Sequence, residues 1–214
     1  MEHLYVKNAS NIQACAEKAA KVLRGGGIIL YPTDTLYGLG ADALSDTAVD
    51  KVYAIKVREE RKPIHAIVSD IKMAERHAHI NENAHLLAKA FLPGALTLIL
   101  KKQKGFKTGI GRRMETIGIR MPDDQFCLAL AHTFGRPYTT TSANKSGLKP
   151  QCTVEEILKQ LGKFASLIDL IIDAGELPTR LPSTVVDVSE AHPIIVREGA
   201  IPSADIWTIL REEQ

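Results

Sequence analysis

The sequence predicts an α/β fold in which helices pack against a mixed β-sheet. Segments with apolar residues at helical spacing alternate irregularly with short β-rich runs. Several of those runs follow one another with no helix between them, which a purely parallel sheet does not allow. The chain has 214 residues, 45% of them hydrophobic and 24% charged, enough for one full core. No repeat, low-complexity tract or linker divides it, so residues 1–214 read as a single domain with a core over about 12–200 and a helical tail over 201–214.

Residues 10–24 read as the first helix, because Ile12, Cys15, Ala16, Ala19, Val22 and Leu23 recur at helical spacing and Gly25, Gly26 and Gly27 end it. IILYP is a buried strand ending at Pro32, and Ser45 caps the helix after it. HAIVSD is a strand, and ENAHLLAKAF is a helix stopped by Pro93 and Gly94. LTLILK and TIGIRM are strands flanking a basic loop, and DDQFCLALAHTF is a helix stopped by Gly135. PYTTTS is a strand, and Thr153 with Glu156 forms a capping box for a helix over 153–161. LIIDAG, STVVDV and PIIVREG are three short strands, followed by a terminal helix in PSADIWTILREE.

Composition narrows the function classes. A formal net charge of +2 neither demands nor excludes an anionic partner. Three dispersed cysteines, Cys15, Cys127 and Cys152, argue against a disulfide framework and for a reducing compartment. The N-terminus has no signal-peptide pattern, and no apolar run approaches the roughly 20 residues needed to span a bilayer. A cytoplasmic protein without a membrane partner is expected. There is no phosphate loop of the GxxxxGK type, no GxGxxG after a strand, no GxSxG and no HExxH. His77 and His79 flank Ala78 without further ligands, so no metal site is assigned to protein side chains.

Four stretches could carry chemistry. In YPTDTLYGLGADA, Thr33, Asp34, Thr35 and Tyr37 follow a strand end, where α/β proteins place ligands, although a plain strand-to-helix turn also uses Asp and Gly. In KVREERKPI, Lys56 and Arg58 can aim at one anion only if the helix has unwound there; a solvated helix end is the other reading. In TTTSANKSG, Ser142 and Asn144 face one groove if the chain stays extended past Thr141. Near the C-terminus, Ser183, Thr184, Arg197 and Gly199 could line a nucleotide site. The stretch 101–113 carries Lys101, Lys102, Lys104, Lys107, Arg112 and Arg113, either as a phosphate or RNA clamp or as a solvated loop.

Together these segments resemble the YrdC-like family, the threonylcarbamoyl-AMP synthases, in a short form without a C-terminal extension. The matching residues are Pro32 to Thr35 with Tyr37 to Gly40, Lys56 and Arg58 before Pro63, and Pro93, Gly94 and Thr97. They continue through Arg120, Ser142 to Asn144 with Ser146 and Gly147, Ser183 to Asp187, and Arg197 to Gly199, in the family's order over about 12–200. The resemblance implies a twisted sheet with a concave basic groove. It implies that L-threonine, bicarbonate and ATP, accompanied by Mg2+, give threonylcarbamoyl-AMP and pyrophosphate for modification of tRNA position 37, with contact to tRNA and to the threonylcarbamoyl transferase machinery. The residues it assigns to catalysis are Lys56, Arg58, Ser142 and Asn144. Thr33, Thr35, Tyr37, His65 and Arg120 bind threonine and carbamate, and Thr140, Ser183 and Arg197 join the catalytic four around the nucleotide. Ile67 stands where the family often has a histidine, with His65 two residues before it on the same strand face. Ala95 stands where a second proline is common. The alternative is a non-catalytic YrdC-like module that binds double-stranded RNA or tRNA.

Overall fold

A computed structural model describes residues 1–6, 11–57 and 63–212. The elements in order are β1 (Glu2–Tyr5), α1 (Ile12–Arg24), β2 (Ile29–Tyr31), β3 (Gly38–Gly40), α2 (Asp46–Lys56), β4 (His65–Ile67), α3 (Ile71–Glu75) and α4 (Glu82–Phe91). Then come β5 (Leu96–Lys101), β6 (Thr116–Arg120), α5 (Gln125–Phe134), β7 (Tyr138–Thr140), α6 (Val154–Leu161), β8 (Leu170–Asp173), β9 (Thr184–Asp187), β10 (Ile194–Arg197) and α7 (Ser203–Glu212). The expected helices and strands are all present. β1, β3 and α3 carry too little periodicity to stand out in the sequence. The strand expected over 65–70 stops at Ile67, because Asp70 accepts a hydrogen bond from Met73 N at 2.7 Å and caps α3.

The strands form a four-stranded sheet, β1-β8-β2-β3, and a six-stranded sheet, β10-β9-β5-β6-β4-β7, both mixed. The single mixed sheet expected from sequence is therefore interrupted, but only locally. Residues 37–43 run antiparallel to 137–143, with bridges Gly38↔Ser142 and Asp42↔Tyr138. Leu39 N donates to Thr141 O at 2.9 Å, Thr139 N to Ala41 O at 2.8 Å and Ala143 N to Tyr37 O at 2.8 Å. The buried Thr139 hydroxyl enters this seam, accepting from Ala41 N at 2.9 Å and donating to Leu39 O at 3.2 Å, so a side chain replaces part of the ladder.

Period-2 alternation sorts the strand residues onto two faces. Leu30, Ala66 and Ile171 join one core with Leu96, Leu98, Ile117, Ile119 and Val186, covered in part by α2, α4 and α7. Ile29, Tyr31, Ile67, Tyr138, Leu170 and Ile172 face the other way, onto α1 and α5. α1 presents Ala16, Ala19 and Ala20, which let α5 approach closely with Phe126, Leu130 and Phe134. The segment expected to be a tail is docked, since Ile206 and Leu210 of α7 are buried in the first core.

α1 and α5 cover only part of their face. The residues that continue it across the six-stranded sheet are His65, Thr97, Ile99, Arg120, Thr140 and Val185, and these line a cleft instead of a core. The bare half of one sheet face is thus the floor of the candidate site.

Candidate functional site

The cleft has a volume of about 860 Å3. Its floor is the uncovered sheet face. Its walls are the turn after β2 (Thr33 to Gly38), the end of β7 (Thr140 to Ser142), and two segments outside helices and strands, 149–152 and 176–183. Among the sequence-predicted residues, Thr33, Thr35, Tyr37, His65, Arg120, Thr140, Ser142, Ser183 and Arg197 line it.

The turn after β2 is built by Thr33. Its hydroxyl accepts from Thr35 N and Leu36 N, both at 3.1 Å, and donates to Leu36 O at 2.7 Å. Thr33 is thereby committed to the turn. Thr35, only 5% exposed, accepts from Arg120 Nη1 at 2.9 Å. Arg120 Nη2 pairs with Asp34 Oδ1, and both side chains are largely buried. The guanidinium is therefore fixed from two sides and its charge is locally compensated. The Tyr37 hydroxyl points away from the cleft floor: it donates to Gly175 O at 2.7 Å, accepts from Ala174 N at 2.9 Å and lies 3.1 Å from Asp173 Oδ1. Burial, the dominant cause, pushes the Tyr37 pKa far above its ordinary value, so it acts as a neutral pin.

His65 sits opposite Thr140 across the β4–β7 ladder. Ile67 is fully buried in the second core, so of the two positions His65 is the one in the cleft. Gly118 on the neighbouring β6 makes room for the ring, since a Cβ there would collide with His65 Cδ2.

At the opposite end, Ser183 Oγ lies 2.8 Å from Thr97 Oγ1. Arg197 grips Ser183 O through Nη2 at 2.8 Å and Nε at 3.2 Å. β10 reaches this position through a bulge, the pairing with β9 shifting between Ile195 and Arg197, so that both Val196 and Arg197 reach the cleft. Partial burial, and then the positive charge of Arg120, push the Arg197 pKa below its ordinary value. The neighbouring Thr184 does not line the cleft; its hydroxyl donates to Ile201 O at 2.6 Å and accepts from Gly199 N at 3.0 Å.

The expected extended SxN arrangement is not what forms. The chain bends after Ser142, and the carboxamide of Asn144, 6% exposed, turns inward. Its Nδ2 donates to Lys145 O at 2.9 Å and Leu148 O at 2.6 Å, while Oδ1 accepts from Ser142 Oγ. A buried carboxamide has to satisfy two donors and an acceptor, and this bend supplies all of them. Lys56, 1% exposed at the end of α2, points its ammonium into the same bend. Nζ donates to Asn144 O at 2.9 Å, Asn144 Oδ1 at 3.3 Å and Ser142 O. Of the four expected catalytic residues, Ser142 lines the cleft and Lys56 and Asn144 stand behind it. Val57, in the left-handed region at φ 49, ends α2, and Arg58 lies outside the described residues.

The basic loop is not part of the cleft. Arg112 pairs with Asp50 of α2 at 3.1 Å through Nη1, Lys102 Nζ donates to Gly111 O at 2.8 Å, and Phe106 and Ile110 are buried. None of the loop's residues lines the cleft, so no phosphate clamp forms there; Lys101, Lys104 and Lys107 are exposed, as the solvated-loop reading expects, while Gly109 to Arg112 pack on α2. Among the described residues, no group of three or more His, Cys, Asp or Glu converges. No described helix is long and apolar enough to cross a membrane.

Sequence reasoning missed Asp34 as a partner of Arg120, and it missed Arg180. Arg180 lines the cleft and donates from Nη1 to Asp34 O at 2.6 Å. No motif marked it.

Comparison with known proteins identifies the family and the fold. A family model covering Sua5, YciO and YrdC, described as "Telomere recombination", matches residues 21–199. The chain is 39% identical over 199 residues to a putative threonylcarbamoyl-AMP synthase of Methanocaldococcus jannaschii, covering 93% of this chain and 92% of that one. It is 34% identical over 195 residues to the threonylcarbamoyl-AMP synthase of Pyrococcus abyssi, covering 91% of this chain but 56% of the relative. Among solved structures, P. abyssi Sua5 complexed with L-threonine superposes with a TM-score of 0.90 at 32% identity, covering 99% of this chain and 62% of that one. Escherichia coli YciO superposes with a TM-score of 0.81 at 29% identity, covering 94% and 96%. The chain belongs to the Sua5/YciO/YrdC family.

Proposed function

We propose that this chain is an L-threonylcarbamoyladenylate synthase, an ATP-dependent nucleotidyltransferase that makes threonylcarbamoyl-AMP and pyrophosphate from L-threonine, bicarbonate and ATP. The observation that carries the reading is one cleft in which the Arg120–Thr35 pair, Ser142 and the Ser183–Arg197 pair converge from distant parts of the chain. The relatives named as synthases, and the Sua5 structure holding L-threonine, support the same chemistry.

The reaction needs position more than a nucleophile from the protein. The threonine amine, in its neutral form, condenses with bicarbonate with loss of water to give a carbamate, and a carbamate oxygen displaces pyrophosphate from the α-phosphorus of ATP. Both reactants are anionic, so the enzyme must fix cations and donors where charge develops. Arg120, oriented by Asp34 and Thr35, takes the amino-acid carboxylate, and His65 and Thr140 flank the carbamate. Ser183 and Arg197 hold the nucleotide. Ser142 presents its backbone and hydroxyl to the phosphates on a bend that Lys56 and Asn144 keep rigid, and Arg58 adds charge there. Thr33 and Tyr37 act through the loop they pin. Mg2+ arrives with the ATP phosphates. The product is destined for modification of tRNA position 37, through contact with tRNA and its transferase machinery.

The test is pyrophosphate release with ATP, threonine and bicarbonate, each omitted in turn, with mass detection of the nucleotide product. Release that persists without threonine, or no threonylcarbamoyl-AMP, refutes the reading.

A further inference from the structure

Resting on the synthase reading, we propose that Arg180 is a further substrate-binding residue, a guanidinium that closes over the amino-acid end of the cleft and takes the second negative charge created when threonine becomes its carbamate. The segment that carries it, 174–183, has no helix or strand between β8 and β9. Its two ends are held firmly. Ala174 and Gly175 are bound by the Tyr37 hydroxyl, and Gly175 N donates to Asp173 Oδ1 at 2.7 Å. Ser183 is bound by Thr97 and Arg197. Between those anchors, Leu177 N donates to Cys152 O at 3.0 Å, and Arg180 reaches the main-chain oxygen of Asp34.

The charge balance identifies the ligand. Asp34 gives Oδ1 to Arg120 while Oδ2 accepts from Asp123 N at 3.1 Å, and the buried Asp34–Arg120 pair is close to neutral as a unit. Arg180 meets only the carbonyl of the same residue, and among the described residues no carboxylate lies within ion-pair distance of it, although Glu156 and Glu176 also line the cleft. An exposed guanidinium facing a cleft beside a compensated one leaves a positive charge to be matched. Free threonine is a zwitterion with one carboxylate. Adding bicarbonate to its amine, with loss of water and a proton, replaces the ammonium by a second anionic carboxylate. The compensated Arg120 suits the first carboxylate, and the uncompensated Arg180, converging on the same Asp34, suits the second. The carbonyl contact is one that Arg180 can exchange for a charged acceptor, which makes the stronger bond.

The experiment compares wild type, Arg180→Ala and Arg180→Lys as full-length chains. Threonine binding is measured by calorimetry with and without bicarbonate, and KM is measured separately for threonine, bicarbonate and ATP. The expected result for Arg180→Ala is about a tenfold rise in KM for threonine and bicarbonate, the scale of one charge-assisted hydrogen bond. Calorimetric weakening is larger with bicarbonate than without it, the ATP KM is unchanged, and Arg180→Lys recovers part of the loss. Threonine and bicarbonate constants equal to wild type, or a rise confined to ATP, overturn the role of Arg180 while leaving the synthase reading intact. Wild-type protein that binds no threonine overturns both.

Discussion

Replacing Lys56 by alanine tests how the site is held together. The substitution removes an ammonium that is 1% exposed and donates to Ser142 O, Asn144 O and Asn144 Oδ1. A hydrogen bond to a charged group contributes about 1.5–3 kcal/mol net, but water entering the vacated volume satisfies some of the orphaned oxygens. The total loss is then about 3 kcal/mol, well below the sum of three bonds. For a chain of this length that lowers Tm by roughly 6–12 °C. The bend that presents Ser142 loosens with it, so pyrophosphate release at a temperature where the variant is folded falls at least about tenfold. Thermal unfolding and single-turnover pyrophosphate release measure the two effects. Lys56→Met, which refills most of the volume without supplying a donor, loses as much. A Tm within about 2 °C of wild type, together with unchanged turnover, refutes the claim that this ammonium organises the bend.

Four other outcomes are expected. Gly109 has φ 55 and its Cβ would strike Ala43 O, so Gly109→Ala costs about 3 kcal/mol in chemical denaturation. Gly105→Ala, where a Cβ meets nothing within 4 Å, stays within about 0.5 kcal/mol of wild type. Gly118→Ala pushes the His65 ring off the cleft floor, so the threonine KM rises while the ATP KM holds, as separate titrations would read. The Met73 N–H, as the largest cause, holds the Asp70 pKa below its ordinary 3.8. A depressed acid stabilises above its unfolded pKa and loses that contribution as pH falls through the folded value. Wild type therefore loses more stability than Asp70→Asn on acidification below pH 3.8, as acid denaturation curves would show.

Much of this protein follows from local rules. Ser45, Thr153 and Gly135 mark helix ends because capping needs only side-chain oxygens and turn conformations a few residues away. Even there local geometry offers more than one outcome: the Glu156 carboxylate accepts from the Thr153 hydroxyl at 3.0 Å, so the expected capping box is only half formed. The ordered motifs from Pro32 to Gly199 were likewise legible, because a family's pattern is a property of the chain itself.

Pattern along the chain was enough for all the elements except β1, β3 and α3, for the alternation that divides the strands between two faces, and for nine of the residues that line the cleft. It took the closed fold to settle which half of a sheet face stays bare, which way Asn144 and Tyr37 turn, that Asp34 neutralises Arg120, and that a bulge brings Arg197 to the site. Capping and period-2 patterning act within a few residues, where bond geometry fixes direction. Charge compensation and burial depend on groups such as Asp34, Arg120 and Arg180, separated by 86 and 146 positions, whose proximity exists only once the sheet has closed.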